Sequence, residues 1–195
     1  MADMCSVTYK IVGDGPRVKS IYKVLQYMER RKTAVVKNTW GKMWLGCLVT
    51  KLGGDCEACG CRGVITGFWL DDTDEYVLTI EQETDWREQA DVRHLITQLY
   101  PGVKVYYQEL RSGMSAFITN DANGRYFPER YFIDSHEDWY FFATIEEVAA
   151  FAEVVVGHDV KPELNIIYNA LLDYQDEHYE DDEVFYSLHE IEVVR

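Results

Sequence analysis

Four of the five cysteines, Cys47, Cys56, Cys59 and Cys61, fall within fifteen positions, three of them in the run CEACGC. Thiolates so placed could hold zinc, which takes four sulfur ligands at tetrahedral angles. The order C-x8-C-x2-C-x-C departs from the paired C-x2-C of structural sites, and one residue between Cys59 and Cys61 strains a shared tetrahedron. If Cys47 sits on a helix ending near Leu52, it faces the core as a small hydrophobe. The expectation is therefore reduced thiols, with no metal and no cofactor. A nucleophilic cysteine needs a base, and no histidine lies within thirty residues of the cluster in sequence.

Other polar groupings read as structure. The histidines, His94, His136, His158, His178 and His189, form no H-x3-H or H-E-x-x-H pattern. His136-Glu137-Asp138 could meet an oxygen-loving cation but reads as a solvated turn. Asp71, Asp72, Asp74 and Glu75 lack the spacing of a calcium loop and read as a charged hairpin turn. Gly13-Asp14-Gly15 stands between a strand and a helix, where phosphates bind. Pro16 removes a donor there, so helix entry is the better reading. No catalytic residue emerges.

The elements that must position these groups follow from periodicity. Residues 5–12 alternate as a half-buried strand, and Val18, Ile21, Val24, Leu25 and Met28 recur at helical spacing. Trp44, Leu45, Leu48, Val49 and Leu52 suit a shorter helix stopped by Gly53 and Gly54. Residues 64–70 and 76–83 form a hairpin. Asp85 with Glu88 predicts a capping pair for a helix that Pro101-Gly102 stops. Residues 103–109 and 114–119 form a second hairpin, and 126–134 is an aromatic strand. A short strand at 139–142, a capped helix from Thr144, a helix from Pro162 and a strand within 184–194 complete the chain.

The order β, α, (α), β, β, α, β predicts an α+β fold. It has a ferredoxin-like split βαβ antiparallel sheet with helices on one face, over residues 1–135, extended by the 114–119 strand. Residues 136–195 form a smaller, mostly helical, acidic extension packed on it. Tyr106, Tyr107, Phe117, Tyr126, Phe127, Tyr131 and Phe132 crowd consecutive strands with few cations among them. That suits core packing or a protein-facing patch better than base stacking.

Cys61-Arg62-Gly63, Thr84-Asp85-Trp86, Tyr100-Pro101-Gly102, residues 105–109 and Thr119-Asn120-Asp121 resemble the YubB ferredoxin-like family. The shared pattern is a strand ending in T-x-W, a helix closing on a Pro turn, an aromatic strand ending in an acid (here Glu109), and a strand before a polar turn. Arg87-Glu88 stands where that family has a Pro-containing turn. The resemblance implies the fold, a bacterial origin and association with mobile elements, and brings no catalytic residues.

Charge bounds the function. Residues 1–60 carry ten Lys/Arg and five Asp/Glu, a net of +5; residues 61–195 carry nine and 29, a net of −20. A balance of −15 argues against direct nucleic-acid binding and against an anionic membrane surface. No stretch reads as a signal peptide or membrane span, which predicts a cytoplasmic protein. The leading expectation is a non-enzymatic interaction protein that meets a basic protein through an acidic surface, in its sharpest form a DNA mimic. The candidate contact is Asp176, Glu177, Glu180, Asp181, Asp182 and Glu183. The alternatives are an enzyme or small-ligand binder with a pocket near residues 33–63, and nucleic-acid binding through the basic residues of 17–51 if these form one patch.

Overall fold

The computed structural model describes residues 4–111, 116–178 and 184–194 of an α+β protein. The chain divides into two compact units, Met1–Asp121 and Ala122–Arg195. The boundary falls at residue 121 and not at the expected 135. The strand before residue 135 pairs with later strands, β7 and β8 below, so its ladder belongs to the second unit.

In the first unit, β1 (Met4–Val12) leads into α1 (Gly15–Arg30) and α2 (Leu45–Leu52). β2 (Gly63–Asp71), β3 (Val77–Asp85), α3 (Ala90–Leu99), β4 (Lys104–Arg111) and β5 (Ala116–Thr119) follow. These strands lie in the order β2-β3-β1-β4-β5, every pair antiparallel. One face of β1, Cys5, Val7, Tyr9 and Ile11, is almost wholly buried, while Ser6 between them is exposed. Register sets Tyr9 opposite Ile80 and Tyr107, and Ile11 opposite Leu78 and Val105, so one apolar face crosses three strands. Phe68, opposite Ile80, meets Tyr22 of α1 with ring centroids 5.8 Å apart. Tyr9 reaches residues leading into α3. Helices α1 and α3 therefore cover the same face, as the apolar stripe Val18, Ile21, Leu25 and Met28 demands.

Local chemistry sets the boundaries. Asp14 caps α1, accepting from the Arg17 N–H at 3.0 Å, with Pro16 in its first turn. Gly53 ends α2 at φ +96°, a conformation an L side chain resists. Gly63 lies so close to β3 that a Cβ would sit 2.6 Å from the Glu83 carbonyl oxygen. The expected Asp85–Glu88 cap is absent. Asp85 ends β3, Trp86 turns the chain at φ +65°, and Arg87 N–H donates back to the Asp85 carbonyl at 2.8 Å. That turn swings Glu88 into the interior, and α3 starts after Gln89 without a side-chain cap.

The second unit holds β6 (Tyr131–Ser135), β7 (Trp139–Phe142), α4 (Ile145–Val156), α5 (Leu164–Glu177) and β8 (Tyr186–Glu190). Its sheet runs β7-β6-β8, antiparallel. Residues 126–130 stay outside β6, since Pro128 lacks an N–H for a ladder; the Arg130 guanidinium donates to the Phe127 and Glu129 carbonyls at 2.8 and 2.7 Å, while its backbone N–H donates to the Phe142 carbonyl at 2.8 Å. Thr144 and Glu147 form the expected capping box of α4. Ile133, Val148, Ala149, Ala152, Val160, Ile167 and Leu171 make an apolar core. Helix α5 runs through the acidic residues Asp173, Asp176 and Glu177, all exposed. No helix among the described residues is long and apolar enough to cross a membrane.

Candidate functional site

The first unit buries a charged cluster where β1, β3 and β4 meet the start of α3. Glu88 and Glu109 are 7% and 2% exposed. Tyr9 Oη donates to Glu88 Oε1, and Arg93 Nε donates to the same carboxylate at 3.0 Å. Glu109 accepts the Glu88 backbone N–H on one oxygen and Arg111 Nη2 on the other. The Arg93 guanidinium stands 5.0 Å from the Tyr107 ring centroid. Two carboxylates thus face two guanidiniums with their oxygens engaged, the condition under which buried charge is tolerated. Gln82, 2% exposed on the same face, and Arg111 are the exceptions among the described residues, because Nε2 and Oε1 of Gln82 and Nε of Arg111 have no partner.

The cluster shifts its phenols and thiol upward. Burial raises Tyr9 well above the ordinary range, and Glu88 adds to it. Burial, then Glu88 and Glu109, push Tyr107 up to about 12. Burial, then Glu109, push the Cys5 thiol up to about 11. All three are held protonated at neutral pH, and both carboxylates are occupied. The geometry ties strands to α3 through the engaged carboxylates of Glu88 and Glu109.

The cysteines separate into two environments. Cys47 is buried on α2, where Asn38 Nδ2 lies 3.6 Å from its sulfur. Cys56, Cys59 and Cys61 share the loop before β2, and burial, then Cys59 and Cys56, push Cys61 up to about 12. Asp91 of α3 accepts the Gly60 N–H at 2.8 Å and Gln89 accepts that of Arg62 at 3.1 Å, holding the loop against α3. Among the described residues no three His, Cys, Asp or Glu side chains are grouped to hold a metal.

The candidate contact acids divide as well. Asp176 and Glu177 are exposed on the last turn of α5; Glu180, Asp181, Asp182 and Glu183 lie outside the described residues. That turn carries no cation, although a helix C-terminus favours positive charge. Beside it, a groove of about 460 Å³ runs along α5. Val156, Ile166, Ala170 and Tyr174 give it apolar walls, and His158, Asp173 and Glu177 polar ones. The walls of this groove come from both α4 and α5, so the periodicity of neither helix alone announces it. Four surface cavities, this one included, take no residue from 33–63.

No family model matches the chain, and no curated protein matches it. Among solved structures, it is similar to one described as the crystal structure of an unknown protein from Galdieria sulphuraria, at 8% identity and a TM-score of 0.27. That alignment covers 98% of this chain and 99% of the other.

Proposed function

We propose that this is a non-enzymatic interaction protein whose second unit receives a basic segment of a partner protein in the groove along α5. The carrying observation is that groove, with its apolar walls and the carboxylates of Asp173 and Glu177. A basic amphipathic segment fits such a surface: apolar contacts supply affinity, and charge supplies selection and association rate. The charge of the unit supports the reading. Residues 122–195 carry 18 Asp/Glu against four Lys/Arg, so most of the acid has no cation within the unit to meet. Asp176 and Glu177 stand at the end of a helix that disfavours them, a cost that contact with a cationic partner offsets. Display of these acids as a DNA mimic is the narrower form.

The antiparallel order β2-β3-β1-β4 with α1 and α3 on one face supports placing the first unit among ferredoxin-like domains. Together with the Thr84-Asp85-Trp86 turn, it supports kinship with the YubB family of bacteria and mobile elements. The free thiols favour a reducing, cytoplasmic setting.

The test is capture and chemical cross-linking of a partner by the full chain, with the linked residues mapped. D173N/D176N/E177Q should lower retention at least tenfold at low salt, and retention should fall steeply as ionic strength rises. Cross-links away from α5, or retention indifferent to salt, would sink the proposal.

A further inference from the structure

Residues 17–51 hold nine Lys/Arg and one Asp/Glu, a net of +8. Helices α1 and α2 bring part of this charge, Lys23, Arg30, Arg31 and Lys51, together around Tyr27. Lys51 Nζ on α2 stands 4.4 Å from the centroid of the Tyr27 ring on α1. The Arg31 guanidinium lies 5.3 Å from the same ring and donates to Tyr27 Oη at 2.7 Å. Lys42 donates to the Glu29 carbonyl, pinning the following loop beside the end of α1. Lys23, Gln26, Tyr27, Arg30 and Arg31 line a groove of about 380 Å³.

Most of these cations are unneutralised. Arg17 pairs with Asp14, and Lys19 lies 3.3 Å from Asp72. Lys23, Arg30, Arg31, Lys32, Lys37 and Lys51 have no carboxylate within 4.0 Å among the described residues. Like charges gathered this way oppose compaction. Two large aromatics stand exposed in the same segment, Tyr27 at 44% and Trp40 at 42%. Trp40 is presented by a tight turn in which Asn38 Oδ1 accepts the N–H groups of Trp40 and Gly41 at 2.7 and 2.8 Å.

We propose that this face binds single-stranded nucleic acid through its backbone, without sequence readout. Lys23, Arg30, Arg31 and Lys51 meet phosphates, and Trp40 stacks against a base. Protein interfaces mix charges of both signs to fix register; one acid among ten charged residues matches instead a partner of uniform charge. Cations combined with exposed aromatics are the recurring means of holding a single strand. An acidic peptide would use the cations and leave Trp40 idle. The overall −15 does not forbid this, because physiological salt screens charges beyond about 8 Å. The proposal is independent of the groove along α5.

The test uses the full chain and a fluorescent oligodeoxythymidylate of about twenty nucleotides. Anisotropy should report binding at about 50 mM salt, weakening steeply by about 200 mM, since each neutralised phosphate contributes about 0.7 to the salt exponent. K23Q/R30Q/R31Q should weaken binding at least tenfold and flatten the salt slope, with its circular dichroism unchanged. R30Q alone, an exposed single change, should give a smaller loss in the same direction. W40A should weaken binding several-fold while leaving the salt slope unchanged, which separates stacking from charge. K161Q in the second unit should change nothing. Absence of binding at low salt, or binding indifferent to K23Q/R30Q/R31Q, overturns the proposal. So does polyglutamate competing as well as the oligonucleotide at equal charge, which would assign the face to an acidic protein. A duplex of the same length binding more tightly than the single strand would overturn it in its stated form.

Discussion

The two units handle charge in opposite ways. Residues 1–121 carry 15 Lys/Arg and 16 Asp/Glu, a net of −1, yet the unit buries two of these acids, Glu88 and Glu109, against the half-buried Arg93 and Arg111. Residues 122–195 net −14, and their core of Ile133, Val148, Ala149, Ala152, Val160, Ile167 and Leu171 holds none. Charge compensated pair by pair can enter an interior and tie strands to a helix. Charge left uncompensated stays in solvent, where it burdens its own fold and acts on other molecules. The net negative charge of this chain thus belongs almost wholly to one unit, and the near-neutral unit is itself polarised, with +8 over residues 17–51.

The sharpest way to break this contrast is to orphan a buried charge. Glu109→Ala strips partners from Arg111 and from the Glu88 N–H, and should cost about 3–5 kcal/mol in a denaturant titration. Loss below about 1 kcal/mol would show the cluster open to water. In the second unit the comparable injury is apolar: Ile167→Ala should cost about 2–5 kcal/mol by leaving a cavity.

Opposite pH limits form a subtler test. Cys5, Cys61, Tyr107 and Tyr9 of the first unit have raised values when folded, from ordinary values of 9.0 and 10.0. The unfolded chain therefore loses these protons first. Their stabilisation is full below about pH 9 and disappears as pH climbs toward 12. In the second unit, burial lowers His189 below 6.5, so the unfolded chain gains that proton first and stability falls as pH drops below 6.5. Burial raises Tyr140 and Tyr186 of the second unit as well, but the first holds more such groups, so hydrogen exchange should show it opening earlier in alkali, and H189Q should remove part of the acid-side decline of the second. Equal alkaline opening of both units would contradict the contrast.

Two small effects complete the series. Gln82→Met removes an amide that finds no partner and should stabilise by about 1 kcal/mol. D176N/E177Q, on an exposed helix end, should change stability by no more than about 0.5 kcal/mol while it changes partner retention. A loss of several kcal/mol would make those acids structural.

Much of the element order was legible because it is written in local periodicity and punctuation. The stripe of α1, the Gly stop of α2, the capping box at Thr144 and the strand at 139–142 all report on neighbours a few positions away. What escaped reading depends on distant partners. Asp85 and Glu88 have the spacing of a cap, yet the turn at Trp86 and the Tyr9 hydroxyl, 79 residues before Glu88, draw Glu88 inward. The buried cluster was invisible for the same reason, its members being scattered from Tyr9 to Arg111. The unit boundary was misplaced because a strand at Tyr131–Ser135 does not announce which side of the chain it will pair with. Nor does composition show that Arg31, just after α1, and Lys51 of α2 converge on one ring, Tyr27.

The placement of β1 has a kinetic consequence. It lies between β3 and β4, with Val12 opposite Val77 and Cys5 opposite Arg111, sequence separations of 65 and 106 residues. Both its edges stay open until the chain has looped back twice, and loops of that length close slowly. Until then Val7, Tyr9 and Ile11 form a bare apolar strand able to pair with another molecule. The strands β6, β7 and β8 of the second unit pair over shorter separations, at most the 59 residues between Tyr131 and Glu190. Refolding at rising protein concentration should therefore lose yield through the first unit, and a charge placed on the outer face of β1, as in Thr8→Lys, should restore some of it without touching the folded interior.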